Sequence, residues 1–213
     1  MIYLIGGPPK CGKTTLAKKL SHILKIPWIS TDSLQSVVQA YTNKNDIPKK
    51  FPWGVRRKET KRINDIAYNT FSANEIIKFY RTQAKSVFMA IEMMTICEIT
   101  DGNDLIIEGY HIEPSLVAKL RKKYGKKNVC GVFLVKTDTK KFVQDIVKTS
   151  TPNDWIISKT KNKETYLKIA EMICEYGKFF GNEAEKNRLA VFNMDDNFND
   201  KIDSAVTRLK SLK

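Results

Sequence analysis

Residues 2–17 constrain this chain more than any other stretch. They read Ile-Tyr-Leu-Ile-Gly-Gly-Pro-Pro-Lys-Cys-Gly-Lys-Thr-Thr-Leu-Ala. Gly7, four residues, Gly12, Lys13 and Thr14 make a glycine-rich loop ending in a Lys-Thr pair. Residues 2–5 are apolar and read as a buried strand. After the loop, Leu16, Leu20, Ile23 and Leu24 recur at helical spacing. A strand, a tight loop and a helix opening near Lys13 form one unit of a parallel α/β sheet.

Each part of the loop suits a polyphosphate. Backbone N–H groups wrapped around an anion satisfy its oxygens without bulky side chains. Gly7 and Gly12 allow backbone angles and close approach that a Cβ would obstruct. The helix start adds unpaired N–H groups and a partial positive charge. Lys13 is placed to reach the β- and γ-phosphates, and the Thr14 hydroxyl to ligate Mg²⁺. Pro8 and Pro9 stiffen the turn. The expected nucleotide-binding run is therefore Gly7, Pro8, Pro9, Lys10, Cys11, Gly12, Lys13, Thr14 and Thr15.

A length of 213 residues suits one α/β domain. No apolar run approaches the ~20 residues that span a bilayer, so no membrane partner is expected. A strand opening at Ile2 leaves no room for a signal peptide, which makes the cytoplasm the expected location. The net charge of +14 favours an acidic partner. Lysines spread along the whole chain, however, read mostly as solvated surface, and charge alone does not establish nucleic-acid binding. Cys11, Cys97, Cys130 and Cys174 are far apart, with no Cys-x-x-Cys pair, so no zinc site is expected. The last three read as small hydrophobes in apolar stretches. Cys11 fills a variable loop position, with an acidified, accessible thiol as the alternative.

Strands alternate with helices along the chain. A short second strand, residues 26–30, leads into Thr31-Asp32 and a helix over 33–41. Residues 42–60 contain Pro48, Pro52 and Gly54 and read as a loop or irregular insert rather than a long helix. A long helix follows over 72–100. The third strand, residues 105–107, ends in Glu108-Gly109. A helix over 114–124, a continuously apolar strand over 129–135 and a short helix over 140–148 come next. Residues 149–163 are polar and turn-rich. A helix over 164–180, a fifth strand over 189–192 and a closing amphipathic helix over 198–212 complete the chain. The expectation is a single domain, residues 1–213, with an acceptor-side insert at about 42–72 and a lid at about 149–163.

Ligands of parallel sheets bind beyond the carboxyl ends of the strands, and the chain's notable acids lie there. Asp32 follows the second strand, where a carboxylate takes a proton from an attacking hydroxyl or holds Mg²⁺. Capping the next helix is its structural alternative. Glu108 ends the third strand after three apolar residues, like an acid that anchors Mg²⁺. His111, three residues on, is a candidate for contacting an anionic substrate or moving a proton. His22 reads as a surface residue. Trp53 with Arg56 and Arg57 pairs an aromatic with guanidinium forks suited to an anionic acceptor. The lid segment has no arginine, which leaves Lys159, Lys161 and Lys163 as its cations.

Together, the loop, Thr31-Asp32 and Glu108-Gly109-Tyr110-His111 with Pro114 resemble the P-loop small-molecule kinases. The nearest resemblance is to 2-phosphoglycerate kinase-like proteins, which carry a related Glu-Gly-x-His element. Polynucleotide kinases, zeta toxins and chloramphenicol phosphotransferases are more distant. The resemblance implies a three-layer α/β/α P-loop fold with a five-stranded parallel sheet in the order 2-3-1-4-5. It also implies a kinase using ATP and Mg²⁺ on a small hydroxylated, anionic acceptor. Lys13, Asp32 and Glu108 would be catalytic, with Thr14, Asp32 and Glu108 at the metal, and the protein a monomer or homodimer. Relatives often carry an Arg after the strand-two acid; here Leu34, Gln35 and Ser36 follow, so that recognition does not carry over. A nucleoside or polynucleotide 5′-hydroxyl kinase is the first alternative, with Trp53 and Tyr110 as base platforms. A nucleotide-dependent switch is the second.

Overall fold

The computed structural model describes residues 1–149 and 154–211. Its frame is a five-stranded, all-parallel sheet in the order β2-β3-β1-β4-β5, as the resemblance implies. The strands are β1 (Ile2–Gly6), β2 (Trp28–Ser30), β3 (Leu105–Glu108), β4 (Val129–Val135) and β5 (Ala190–Asn193). Central β1, β3 and β4 are buried along their whole length, which explains their unbroken apolar runs. Each fully buried Leu or Ile there contributes roughly 1.5–3 kcal/mol by leaving water. Register decides where the chemistry sits. Ile5 pairs with Glu108, Gly6 with Phe133 and Ser30 with Glu108. The phosphate loop, Asp32 and Glu108 therefore emerge together at one end of the sheet.

Helices cover both faces. They are α1 (Lys13–Leu24), α2 (Thr31–Ala40), α6 (Ala73–Thr100), α7 (Pro114–Tyr124), α8 (Thr139–Thr149), α9 (Lys163–Lys186) and α10 (Phe198–Lys210). The 28-residue α6 starts from a capping box: Ser72 Oγ accepts from Glu75 N, and Glu75 Oε2 accepts from Ser72 N. It then buries Ile76, Tyr80, Gln83, Ala84, Val87 and Ile91. Glu92 on α6 is almost fully covered and accepts hydrogen bonds from Lys119 and Lys123 of α7 at 2.8 and 2.7 Å.

The insert differs from the irregular segment expected of it. After a single 3-10 turn (Lys44–Asp46), it forms α3 (Ile47–Lys50), α4 (Pro52–Glu59) and α5 (Asn64–Thr70). Its prolines stand in the first turns of α3 and α4. There the missing N–H costs nothing and the fixed φ favours helix, so they start helices instead of forbidding them. Trp53 is buried among Tyr68, Phe71, Phe79 and Tyr80, with ring centroids 5.9–6.4 Å away. It is the core of the insert rather than an open base platform.

The insert also holds the segment that follows α8. Asn64 Nδ2 donates to the Trp155 carbonyl at 3.0 Å and to Thr160 Oγ1 at 2.9 Å. The Asp65 carboxylate accepts from Lys161 N at 2.8 Å and Asn162 N at 3.1 Å. Residues 150–153 of the expected lid, and Leu212 at the end of the expected last helix, lie outside the described residues. Among the described residues, no helix is long and apolar enough to cross a membrane. Cys97 is exposed rather than packed, while Cys130 and Cys174 are buried as expected.

Candidate active site

The cleft at the carboxyl ends of the strands measures about 1130 Å³. Its floor is the loop between β1 and α1. Gly7 adopts φ +133°, and a Cβ there would lie 2.0 Å from the Leu134 carbonyl oxygen, so the loop can press on β4 only with glycine. Gly12 caps α1 without a side-chain bond, and the first turn carries no acid. The first N–H groups of α1 are thus left for an anion. Lys13 is buried, and its Nζ donates to the Pro8 carbonyl at 2.5 Å. Burial lowers its pKa, against the opposing pull of Cys11, Glu108 and Asp32. Cys11 is fully buried and its thiol is pushed up to about 12 by desolvation. The acidified-thiol alternative fails on burial, which outweighs the nearby positive charge.

Thr14 Oγ1 donates to Glu108 Oε1 at 3.0 Å. Glu108 is 3% exposed, and its burial raises the carboxyl pKa while Lys13 and the Thr14 hydroxyl pull it down. Asp32 stands in the first turn of α2 but does not cap it; Ser30 does, its Oγ accepting from Asp32 N at 3.3 Å. The Asp32 carboxylate is left free, its side chain 75% accessible at the cleft wall. Surrounding protein raises its pKa by desolvation, with Lys13 opposing.

His111 is fully buried, and both ring nitrogens are engaged by protein. Nδ1 lies 2.8 Å from Thr31 Oγ1, and Nε2 lies 2.7 Å from Gln35 Oε1. Burial, reinforced by Lys13, lowers its pKa to about 3, so the ring is neutral. It stands behind Asp32, with Nδ1 3.9 Å from Asp32 Oδ1. This differs from the expected contact with substrate, because the turn at Gly109 folds the ring inward. Gly109 has φ +154°, and a Cβ there would sit 1.6 Å from Thr31 Oγ1. Only glycine admits Thr31 to the ring.

The basic residues divide. Arg56 is exposed and paired with Glu59 at 2.9 Å on its own helix. Arg57 turns inward. Its guanidinium lies 5.7 Å from the Trp53 ring centroid, and Nη2 donates to the Arg62 carbonyl at 2.7 Å. Nη1 is buried without a partner. Lys159, Lys161 and Lys163 are exposed and do not line the cleft. Besides Lys10 and Lys13 of the loop, the lysines that do line it were not singled out from sequence: Lys136 directly after β4 and Lys141 on α8. Lys136 pairs with Asp145 at 2.7 Å, Lys141 with Asp196, and Lys10 of the loop with Asp154. Asp195 ties β5 to β4 by accepting from Thr137 N at 3.0 Å and Thr137 Oγ1 at 2.9 Å. A lysine directly after an apolar strand was the available signal for Lys136; for Lys141 there was none. Among the described residues, no cluster of three acidic, histidine or cysteine side chains forms a metal cage. The oxygen pair at Thr14 and Glu108 suits Mg²⁺, an ion that keeps its waters and takes the rest of its shell from phosphate.

A parallel 2-3-1-4-5 sheet, with a Gly-x4-Gly-Lys-Thr loop leading into α1, defines a nucleotide-binding P-loop fold of the kinase type. No family model matches the chain. It is similar to a curated 2-phosphoglycerate kinase of Methanococcus vannielii, 25% identical over 192 residues, covering 90% of this chain and 58% of that protein. The chain thus spans less than two thirds of that relative's length, and the resemblance read from the loop, Thr31-Asp32 and residues 108–111 with Pro114 is found again in a comparison over 90% of the chain. Among solved structures it is similar to a gluconokinase from Sinorhizobium meliloti, with TM-score 0.55, 12% identity, and coverage of 99% of this chain and 91% of that one. A shikimate kinase from Bacteroides thetaiotaomicron gives TM-score 0.50, 17% identity, and coverage of 100% and 97%. At these identities the structural likeness speaks to the fold.

Proposed function

We propose that the chain is an ATP-dependent phosphotransferase acting on the hydroxyl of a small anionic acceptor, with 2-phosphoglycerate as first candidate. The single observation that carries this reading is Asp32: an uncapping, unpaired carboxylate facing the same cleft as Lys13 and the Thr14–Glu108 pair. A protein that only bound nucleotide would have no use for a base at that wall.

In this reading the loop N–H groups and Lys13 hold the β- and γ-phosphates. Thr14 and Glu108 would hold Mg²⁺, which would supply positive charge to offset that of the phosphates. Asp32 takes the proton of the acceptor hydroxyl as its oxygen bonds to the γ-phosphorus. The bond from that phosphorus to the bridging oxygen breaks, and ADP leaves. Positioning and charge neutralisation do the work. Neither Arg56 nor Arg57 lines the cleft; of the two, Arg57, with a shielded and unpartnered Nη1, is the better candidate for the acceptor's anionic group. Burial of Trp53 removes one of the two base platforms that a polynucleotide acceptor would need. The test is ADP release from MgATP with 2-phosphoglycerate among other small hydroxy acids and sugars. Acceptor-dependent release that disappears in Lys13→Ala supports the reading. Release that no acceptor stimulates overturns it.

A further inference from the structure

Behind the cleft wall runs a buried hydrogen-bond chain whose direction can be deduced from one end. The Gly54 N–H of α4 donates to Gln83 Oε1 at 2.9 Å. A backbone N–H can only donate, so Gln83 must present its amide nitrogen on the other side. That nitrogen faces Tyr110 Oη at 2.8 Å and Gln35 Oε1 at 3.2 Å. Having accepted from Gln83, the Tyr110 hydroxyl donates to Gln35 Oε1 at 2.8 Å. The atom of Gln35 at this junction is therefore its oxygen. Facing an oxygen at 2.7 Å, His111 Nε2 must carry the proton. In the neutral ring Nδ1 then holds a lone pair, to which the Thr31 hydroxyl donates at 2.8 Å.

The last link bears on Asp32. The imidazole edge 3.9 Å from its carboxylate is a lone pair already filled by Thr31. The Nε2–H tautomer offers Asp32 no N–H from this edge. The other groups facing the ring are Lys13, which disfavours an imidazolium, and Tyr110, whose ring packs at 3.8 Å between centroids. We infer that Gln83 and Gln35 are positioning residues: the chain starting at Gly54 fixes the ring proton of His111 on Nε2, so that the Nε2–H tautomer turns no N–H towards Asp32 and leaves its carboxylate ready for an acceptor hydroxyl. The seating of the insert on α6 is thereby transmitted to the base. The inference rests on the reading of Asp32 as that base.

The test is the imidazole ¹⁵N spectrum of histidine-labelled protein at neutral pH without nucleotide. The chain has two histidines, and His22 is exposed on α1, so the two signals are separable. Wild type should show His111 purely as Nε2–H. Gln83→Glu still accepts from Gly54 but can no longer donate; Gln35 must then turn its nitrogen inward, and His111 should switch to Nδ1–H. Gln35→Glu preserves the accepting oxygen and should retain Nε2–H. In Gln83→Glu, kcat for ADP release should fall at least tenfold, with the nucleotide KM unchanged. Nδ1–H or a doubly protonated ring in wild type overturns the inference even if the variants do not fold, and an unswitched ring in folded Gln83→Glu does the same. A switched ring with undiminished kcat overturns the link to Asp32. If the tautomers behave as stated and no acceptor stimulates ADP release, the kinase reading falls while the hydrogen-bond order stands.

Discussion

Thr14 and Glu108 are 94 residues apart in sequence and 3.0 Å apart in the cleft. The parallel register of β1 with β3 brings them together, so the proposed metal position is built by the sheet and not by a loop. Glu108→Gln keeps an oxygen for the Thr14 hydroxyl and removes the charge. The Mg²⁺ concentration for half-maximal ADP release should rise roughly 10–100-fold, with the melting temperature little changed. An unaltered Mg²⁺ requirement would remove Glu108 from the metal.

Asp32→Asn preserves shape and deletes the base. Nucleotide affinity by calorimetry should stay within about twofold, while acceptor-dependent transfer should drop about 10²–10⁴-fold, the range for losing general-base assistance. Full transfer by Asp32→Asn would reduce Asp32 to a helix-start residue.

The two neighbouring arginines should behave differently. Arg57→Met should raise the acceptor KM about 10–100-fold, the loss of one charge-assisted hydrogen bond. Arg56→Met should change it less than about twofold, since its exposed pair with Glu59 contributes only a few tenths of a kcal/mol. Equal effects from both would argue against Arg57 as the anion contact.

Gly109→Ala meets Thr31 Oγ1 head-on and also strains a left-handed φ. A destabilisation of about 2–3 kcal/mol, or roughly 5–10 °C in Tm for a chain of this size, is expected in thermal denaturation. A Tm unchanged within 1–2 °C (about the shift from 0.5 kcal/mol) would mean that Thr31 does not press on Gly109 in solution.

Glu92 gives a pH signature away from the cleft. Hydrogen bonds from Lys119 and Lys123 lower its carboxyl to about 2. A depressed folded-state pKa adds stability that is present above the ordinary carboxylate range and lost as pH falls towards 2. The Tm difference between wild type and Glu92→Gln should therefore be largest at neutral pH and shrink through pH 4 to 2. A constant difference would mean that the lysines are not bound to Glu92.

What the sequence makes legible is what neighbours in sequence decide. The phosphate loop, Asp32 after β2 and Glu108 at the end of β3 follow from local pattern, and strand–helix alternation with the resemblance leads to the strand order. What stays hidden depends on side chains meeting across the fold. His111 looks like a ligand residue from its place after β3, but Gly109 turns it inward. Trp53 and Arg57 lie four residues apart, and nothing local says that the ring becomes a core while the guanidinium keeps a shielded nitrogen. Lys136 and Lys141 line the cleft in place of the expected lid lysines because β4 leads directly into α8, which packs on α9; nothing local places Lys141 there. Pro48 and Pro52 misdirect for a different reason, because a proline opens a helix as readily as it prevents one.

The bonds from Asn64 and Asp65 to residues 155–162 fasten the start of α5 to the stretch leading into α9. Four backbone groups of that stretch, at Trp155, Lys159, Lys161 and Asn162, are held from two adjacent residues. Neither piece can shift far without carrying the other along or breaking those bonds.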